Sequence, residues 1–136
     1  MKIYCKNRKA RKFAKWIARY FKLKDVFVHL EIHKGMSPNE HHSWMEGITD
    51  TVYKIEIYKK DAKANDYSVE RAIAHEMAHV MQHATDQMVE AKYRGAYWHG
   101  KWINEETTPY IDLPWEIDAR QWEQKLMMAY ADYKYG

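Results

Sequence analysis

The chain has 136 residues, 46% of them hydrophobic, with a formal net charge of +3; that length predicts one domain over 1–136, large enough to bury about two-thirds of its unfolded surface without covalent staples. Its single cysteine, Cys5, has no partner within the chain for a disulfide, which favours a reducing compartment over secretion. No apolar run approaches the roughly 18 residues of a membrane-spanning helix, and the basic N-terminus lacks the uninterrupted apolar stretch of a signal peptide, so the expectation is a soluble, cytoplasmic protein.

The charge is unevenly distributed. Residues 1–24 carry ten Lys or Arg and no acid, leaving 12 basic against 19 acidic residues in the rest. From about Asn7 to Leu23, Phe13, Trp16, Ile17, Tyr20 and Phe21 follow helical spacing while Arg8, Arg11, Lys12, Lys15 and Arg19 occupy the remaining face, which predicts a basic amphipathic helix. Its basic side is either a solvated face of a core-packed helix or a set of candidate contacts to nucleic acid.

Val26, Val28, Leu30 and Ile32 alternate with Phe27, His29 and Glu31, the period of a strand with one buried face. Gly35 to Ser43 reads as a loop, and His33, His41 and His42 as exposed loop histidines, because none has a partner at ligand spacing in a rigid element. Val52 to Tyr58 forms a second strand, with Tyr53, Ile55 and Ile57 on one face; were it a sheet edge beside the next helix, its free backbone groups would accept an extended peptide. The polar stretch Lys59 to Asp66 ends this strand, and Asp66 or Ser68 can cap the helix that follows.

That helix, over about 67–86, contains His75-Glu76-Met77-Ala78-His79 beside an apolar stripe of Val69, Ile73, Met77, Val80, Met81 and Ala84. Residues four apart on a helix lie one turn above each other, so His75 and His79 can direct ring nitrogens at one point. Neutral imidazoles bind Zn²⁺ at about 2.0–2.1 Å. Glu76 lies about 100° round the axis, beside such a metal, where a carboxylate can act as general base toward an activated water. His83 continues the stripe and reads as a supporting or surface residue. Three fixed positions in a chain rich in His and Glu also arise by chance, so context decides.

Tyr97 to Ile103 is aromatic around Gly100 and predicts a short hairpin. Pro114 suits the first position of a final helix over about 114–134, whose stripe of Trp115, Ala119, Trp122, Leu126, Ala129, Tyr130 and Tyr133 should dock on the first. A catalytic zinc needs a third protein ligand. Glu116, at the head of this helix, is a candidate, although a first-turn acid is common for the dipole's sake alone.

The HExxH segment followed by Leu113-Pro114-Trp115-Glu116-Ile117-Asp118-Ala119 resembles the small gluzincin metallopeptidases, including minigluzincins and compact SprT-like or phage-encoded peptidases, which pair an HExxH helix with a PWExEA-like helix. The resemblance covers about Ser68 to Gln124. It implies a compact, zincin-like α+β domain with a small mixed or antiparallel sheet, one Zn²⁺ on His75, His79 and Glu116, Glu76 as general base, and a peptide or protein substrate. Asp118 stands in place of the commoner Glu, and Arg120 where several members carry Asp or Asn behind the ligand. Members that use a third histidine make His99 a rival to Glu116, with Asp118 a further one. Tyr93, Tyr97, His99 and Tyr110 are candidate oxyanion or substrate donors. Two alternatives stand beside the peptidase: a nucleic-acid-associated module with a structural zinc, and a latent peptidase whose cleft is blocked by residues 1–24.

Overall fold

Alternating apolar residues build a mixed sheet that two helices cover on one side. A computed structural model describes residues 1–38, 41–59 and 66–135. The sheet has the order β1 (Lys2–Tyr4), β2 (Phe27–Lys34), β4 (Val52–Lys59), β3 (Ser43–Gly47). β1 and β4 both run parallel to β2, and β3 runs antiparallel to β4. Val28, Leu30, Tyr53, Ile55 and Ile57 are buried on the inner face as their alternation requires. β4 is therefore central, and the edge beside the HExxH helix is β3, which lies in a stretch expected in part to be loop. Among the described residues the loop expected over Gly35 to Ser43 gives way to strand only at Ser43; β3 itself could not be anticipated because Ser-Trp-Met-Glu-Gly lacks a clean alternation, is only half-buried and takes its register from β4.

Helix α1 (Arg8–Tyr20) is capped by Asn7, whose Oδ1 accepts from the Ala10 N–H at 3.0 Å. It stops before Leu23 because Lys22 adopts a φ of 56°. The Leu23 N–H then reaches the Ala18 carbonyl and the Lys22 N–H the Arg19 carbonyl, a Schellman ending without the usual glycine. Ala10, Phe13, Ala14, Ile17 and Ala18 are buried in the main core.

Helix α2 (Asp66–Ala84) carries the HExxH segment, and α3 (Pro114–Tyr135) packs along it, as its stripe predicts. Ser68 stands inside the first turn of α2; residues 60–65 and the capping side chain proposed for Asp66 lie outside the described residues. Besides the expected stripe, Ala74, Ala78 and Gln82 of α2 are fully buried, so it is covered on more than one face. Tyr130 of α3 meets Phe13 and Trp16 of α1 at ring-centroid distances of 4.5 and 5.0 Å, and Trp122 meets Phe21 at 5.0 Å. These aromatic contacts tie α3 to α1.

Between α2 and α3 lies a second, antiparallel sheet of β5 (Met88–Glu90), β6 (Gly95–Trp98) and β7 (Lys101–Asn104). The predicted hairpin is β6–β7, turned by His99 and Gly100 with φ of 48° and 81°, the positive pair that a two-residue type I′ turn requires. The chain is thus an α+β fold, with Met88, Ala96, Leu113 and Trp115 forming a small second core under the hairpin. Among the described residues, no helix is long and apolar enough to cross a membrane.

Candidate metal centre

The HExxH helix and the head of α3 meet at three side chains. Pro114 opens α3 after a 3-10 turn at Tyr110–Asp112, so Glu116 falls in its first turn, facing α2 and only 5% exposed. His75 Nε2 lies 2.9 Å from Glu116 Oε1, and His79 Nε2 lies 3.0 Å from Glu116 Oε2. The three donor atoms sit within 4.8 Å of one another.

Supporting bonds fix which ring nitrogens face inward. The Gln82 amide nitrogen donates to the Trp115 carbonyl and to Asp118 Oδ2, both at 2.9 Å. Its Oε1 is therefore the atom turned to His79 Nδ1, at 2.8 Å, and Nδ1 must carry the hydrogen. His75 Nδ1 meets Glu123 Oε2 at 3.2 Å, and Glu123 is held in turn by Arg71 Nε at 2.6 Å. In the neutral tautomers both Nε2 lone pairs then point at the Glu116 carboxylate. Acceptors facing acceptors need a cation or protons between them, and two imidazoles plus one carboxylate are the donor set of a catalytic zinc site, so the residues fit that ion.

Without a metal, protons take that place. Burial disfavours a charged His75, but hydrogen bonds to Glu116 and Glu123 and the nearby Glu76 charge outweigh it and raise its pKa to about 10. His79 is raised too: burial opposes the charge, Glu116 and Glu76 favour it, and His75 works against it. Burial would push Glu116 up, yet its bonds to the two histidines hold its carboxyl well below the usual range.

Glu76 is 4% exposed, and its Oε2 accepts from Ser43 Oγ at 2.6 Å. The general-base candidate is thus oriented by the first residue of edge strand β3. Tyr110 donates its hydroxyl to Glu116 Oε1 at 2.9 Å; burial, then the charge of Glu116, raises its pKa. Arg120 Nη2 donates to the Ile111 carbonyl at 2.6 Å, so it braces the turn that presents Tyr110. A cleft of about 340 Å³ opens over this group, lined by His41, His42, Ser43, His75, Glu76 and Tyr110 among others.

The sequence-derived candidates separate clearly. His75, Glu76, His79, Glu116 and Tyr110 come together. His99 sits in the β6–β7 turn against Trp98, Tyr97 packs on Trp102, and Tyr93 is exposed; none of the three lines the cleft. Asp118 holds Gln82 rather than competing for the ligand position. His83 is half-buried, 4.0 Å from Glu90, with its pKa lowered by burial. His33, expected in an exposed loop, belongs to β2 and lies between Glu31 and Glu56. Of the basic-face residues, Arg11 is occupied by the Cys5 carbonyl at 2.7 Å, while Arg8, Lys12 and Arg19 are exposed and Lys15 half-buried. Sequence reasoning missed Ser43 and Glu123. Glu123 had a usable signal, since it lies seven residues after Glu116 and so on the same face of α3.

Compared with protein-family models, with curated proteins and with solved structures, the chain matches none.

Proposed function

We propose that this chain is a zinc-dependent peptidase of the small gluzincin type. The observation that carries the reading is the convergence of His75 Nε2, His79 Nε2 and the Glu116 carboxylate, with the buried Glu76 beside them. His75, His79 and Glu116 would hold the Zn²⁺, which would supply Lewis acidity to polarise a carbonyl and acidify a water.

The chain's own groups account for the rest. Glu76 accepts the proton of the attacking water on a carboxylate oxygen and returns it to the leaving amine, and the Ser43 hydroxyl keeps that carboxylate in one orientation. Tyr110 carries a hydroxyl at the rim of the site that donates to Glu116; turned away from that carboxylate, it is the donor suited to a developing oxyanion. β3, an edge strand among the described residues, offers unpaired backbone groups along the cleft, which suits an extended peptide or protein segment as substrate.

Metal analysis with a Glu76→Gln variant tests the proposal. The variant should retain one equivalent of zinc at this site and lose peptide hydrolysis; hydrolysis that persists removes Glu76 from its role. A further comparison settles the third ligand: Glu116→Ala should weaken zinc binding far more than His99→Ala.

The nucleic-acid reading has one supporting observation, the exposure of Arg8, Lys12 and Arg19 along one helix. It predicts affinity for DNA or RNA that falls steeply with salt and with neutralisation of Lys12 and Arg19, without hydrolysis. The latent reading finds no such support, because the described cleft-lining residues include none from 1–24.

A further inference from the structure

We propose that Glu31, His33 and Glu56 form a second binding site, for a divalent transition-metal cation, on the outer face of the mixed sheet. The site is independent of the HExxH helix.

The parallel register of β2 and β4 sets Glu31 directly opposite Glu56. Two carboxylates facing each other across strands repel and destabilise the pair unless a cation lies between them. His33, two residues beyond Glu31 and so on the same face, brings its Nε2 to 3.4 Å from Glu31 Oε2 and 3.4 Å from Glu56 Oε1. That nitrogen is buried and hydrogen-bonds to neither oxygen. A protonated imidazole shared with a carboxylate would close to about 2.7–2.9 Å. Ligand atoms on a tetrahedral ion with bonds of about 2.0–2.1 Å stand about 3.3–3.4 Å apart instead. The spacing therefore matches a shared metal better than a shared proton.

Neighbouring groups hold the arrangement. His29 Nε2 lies 3.2 Å from the other oxygen of Glu31, and the His33 ring stacks on Tyr58 with centroids 4.5 Å apart. Lys54 Nζ, 3.5 Å from Glu56 Oε1, is a competing cation on the Glu56 side of the group. One imidazole with two carboxylates suits Zn²⁺, Co²⁺ or Ni²⁺ rather than Ca²⁺ or Mg²⁺. Glu31 and His33 also border a cavity of about 670 Å³, which gives the ion an entry path. Bound there, the ion ties together the two central strands of the sheet.

The test is a titration of the chelator-stripped full chain with Zn²⁺, followed by calorimetry, and with Co²⁺, followed by its visible absorption. Two equivalents are expected. His33→Gln and, separately, Glu56→Gln should weaken one of them roughly tenfold or more and leave the other unchanged, with far-UV circular dichroism confirming that each variant remains folded. Should His33→Gln unfold the chain, Glu31→Gln provides the same readout. Glu116→Ala should weaken only the other equivalent. One equivalent that survives Glu116→Ala and is lost with His33→Gln or Glu56→Gln supports this site while removing the HExxH centre. A single equivalent with the opposite behaviour, two equivalents indifferent to all three sheet substitutions, or no binding at all overturns the proposal.

Discussion

Gln82 governs His79 without touching the point where the ligand atoms meet. Its amide nitrogen has two acceptors, the Trp115 carbonyl and Asp118, so only its oxygen can face the imidazole, and the ring cannot turn over without losing a buried bond. Gln82→Leu removes that constraint and strands Asp118. Metal affinity should fall roughly 10- to 100-fold, the usual effect of losing a partner that orients a ligand, as read by competition with a chromophoric chelator; unchanged affinity would show that His79 is held by helix packing alone. Ser43→Ala acts instead on Glu76, the general base of the proposed reaction. It removes a hydrogen bond to a charged carboxylate, a contribution of about 1.5–3 kcal/mol, and if part of that is realised only during reaction, kcat should drop by roughly tenfold with metal content unaltered. A fall in metal content instead would place Ser43 in the support of the ligands.

Among the elements, α1 was legible as a basic amphipathic helix, but its role emerges from its burial. Phe13 and Ile17 are fully buried, and Phe13 touches Tyr130 of α3, so Phe13→Ala should cost about 3–5 kcal/mol in denaturant unfolding, and removal of 1–24 should abolish the fold instead of raising activity. β6 presents a tighter constraint. A Cβ at Gly95 would run into the Ile103 carbonyl and the Trp102 ring on β7, and Gly95→Ala should destabilise the hairpin by about 1–3 kcal/mol, seen as faster amide exchange in β6 and β7 with α2 protected. The helices and the two alternating strands could be read from sequence because their periodicity is local: Tyr53, Ile55 and Ile57 alternate, and Val69, Ile73, Met77 and Val80 recur by turns. β1 and β3 could not, since three residues or a half-buried edge carry no period of their own and depend on a distant partner for register. The same division runs through the candidate metal centre. His75, Glu76 and His79 are neighbours on one helix, and Glu116 and Tyr110 were legible as candidates, whereas Ser43 and Glu123 reach Glu76 and His75 only through the tertiary packing of β3 and α3.

At the scale of the whole molecule, the proposed metal centre would couple metal occupancy to the packing of α2 on α3. In the metal-free chain the protons on the histidines hold Glu116 between the helices. His75 has its pKa raised from 6.5 to about 10, so its stabilising contribution is complete below pH 6.5 and is lost as pH rises through about 10. Glu116 is shifted the other way from 4.5; its contribution is present above that value and fades as acid protonates it. These groups therefore make the stripped chain most stable between about pH 4.5 and 6.5, with a decline on the alkaline side. Metal requires neutral imidazoles and so displaces those protons. Zinc binding at pH 7 should release protons into a weakly buffered solution, measurable with an indicator dye or as a buffer-dependent calorimetric enthalpy, and Glu116→Ala should reduce that release. The Tm of the zinc-loaded chain should exceed that of the stripped chain by a margin that widens from pH 6.5 toward 10. A margin that stays constant or narrows over that range would mean that the histidines are neutral before the metal arrives, and that α2 and α3 are held together by their apolar contacts without help from the charged centre.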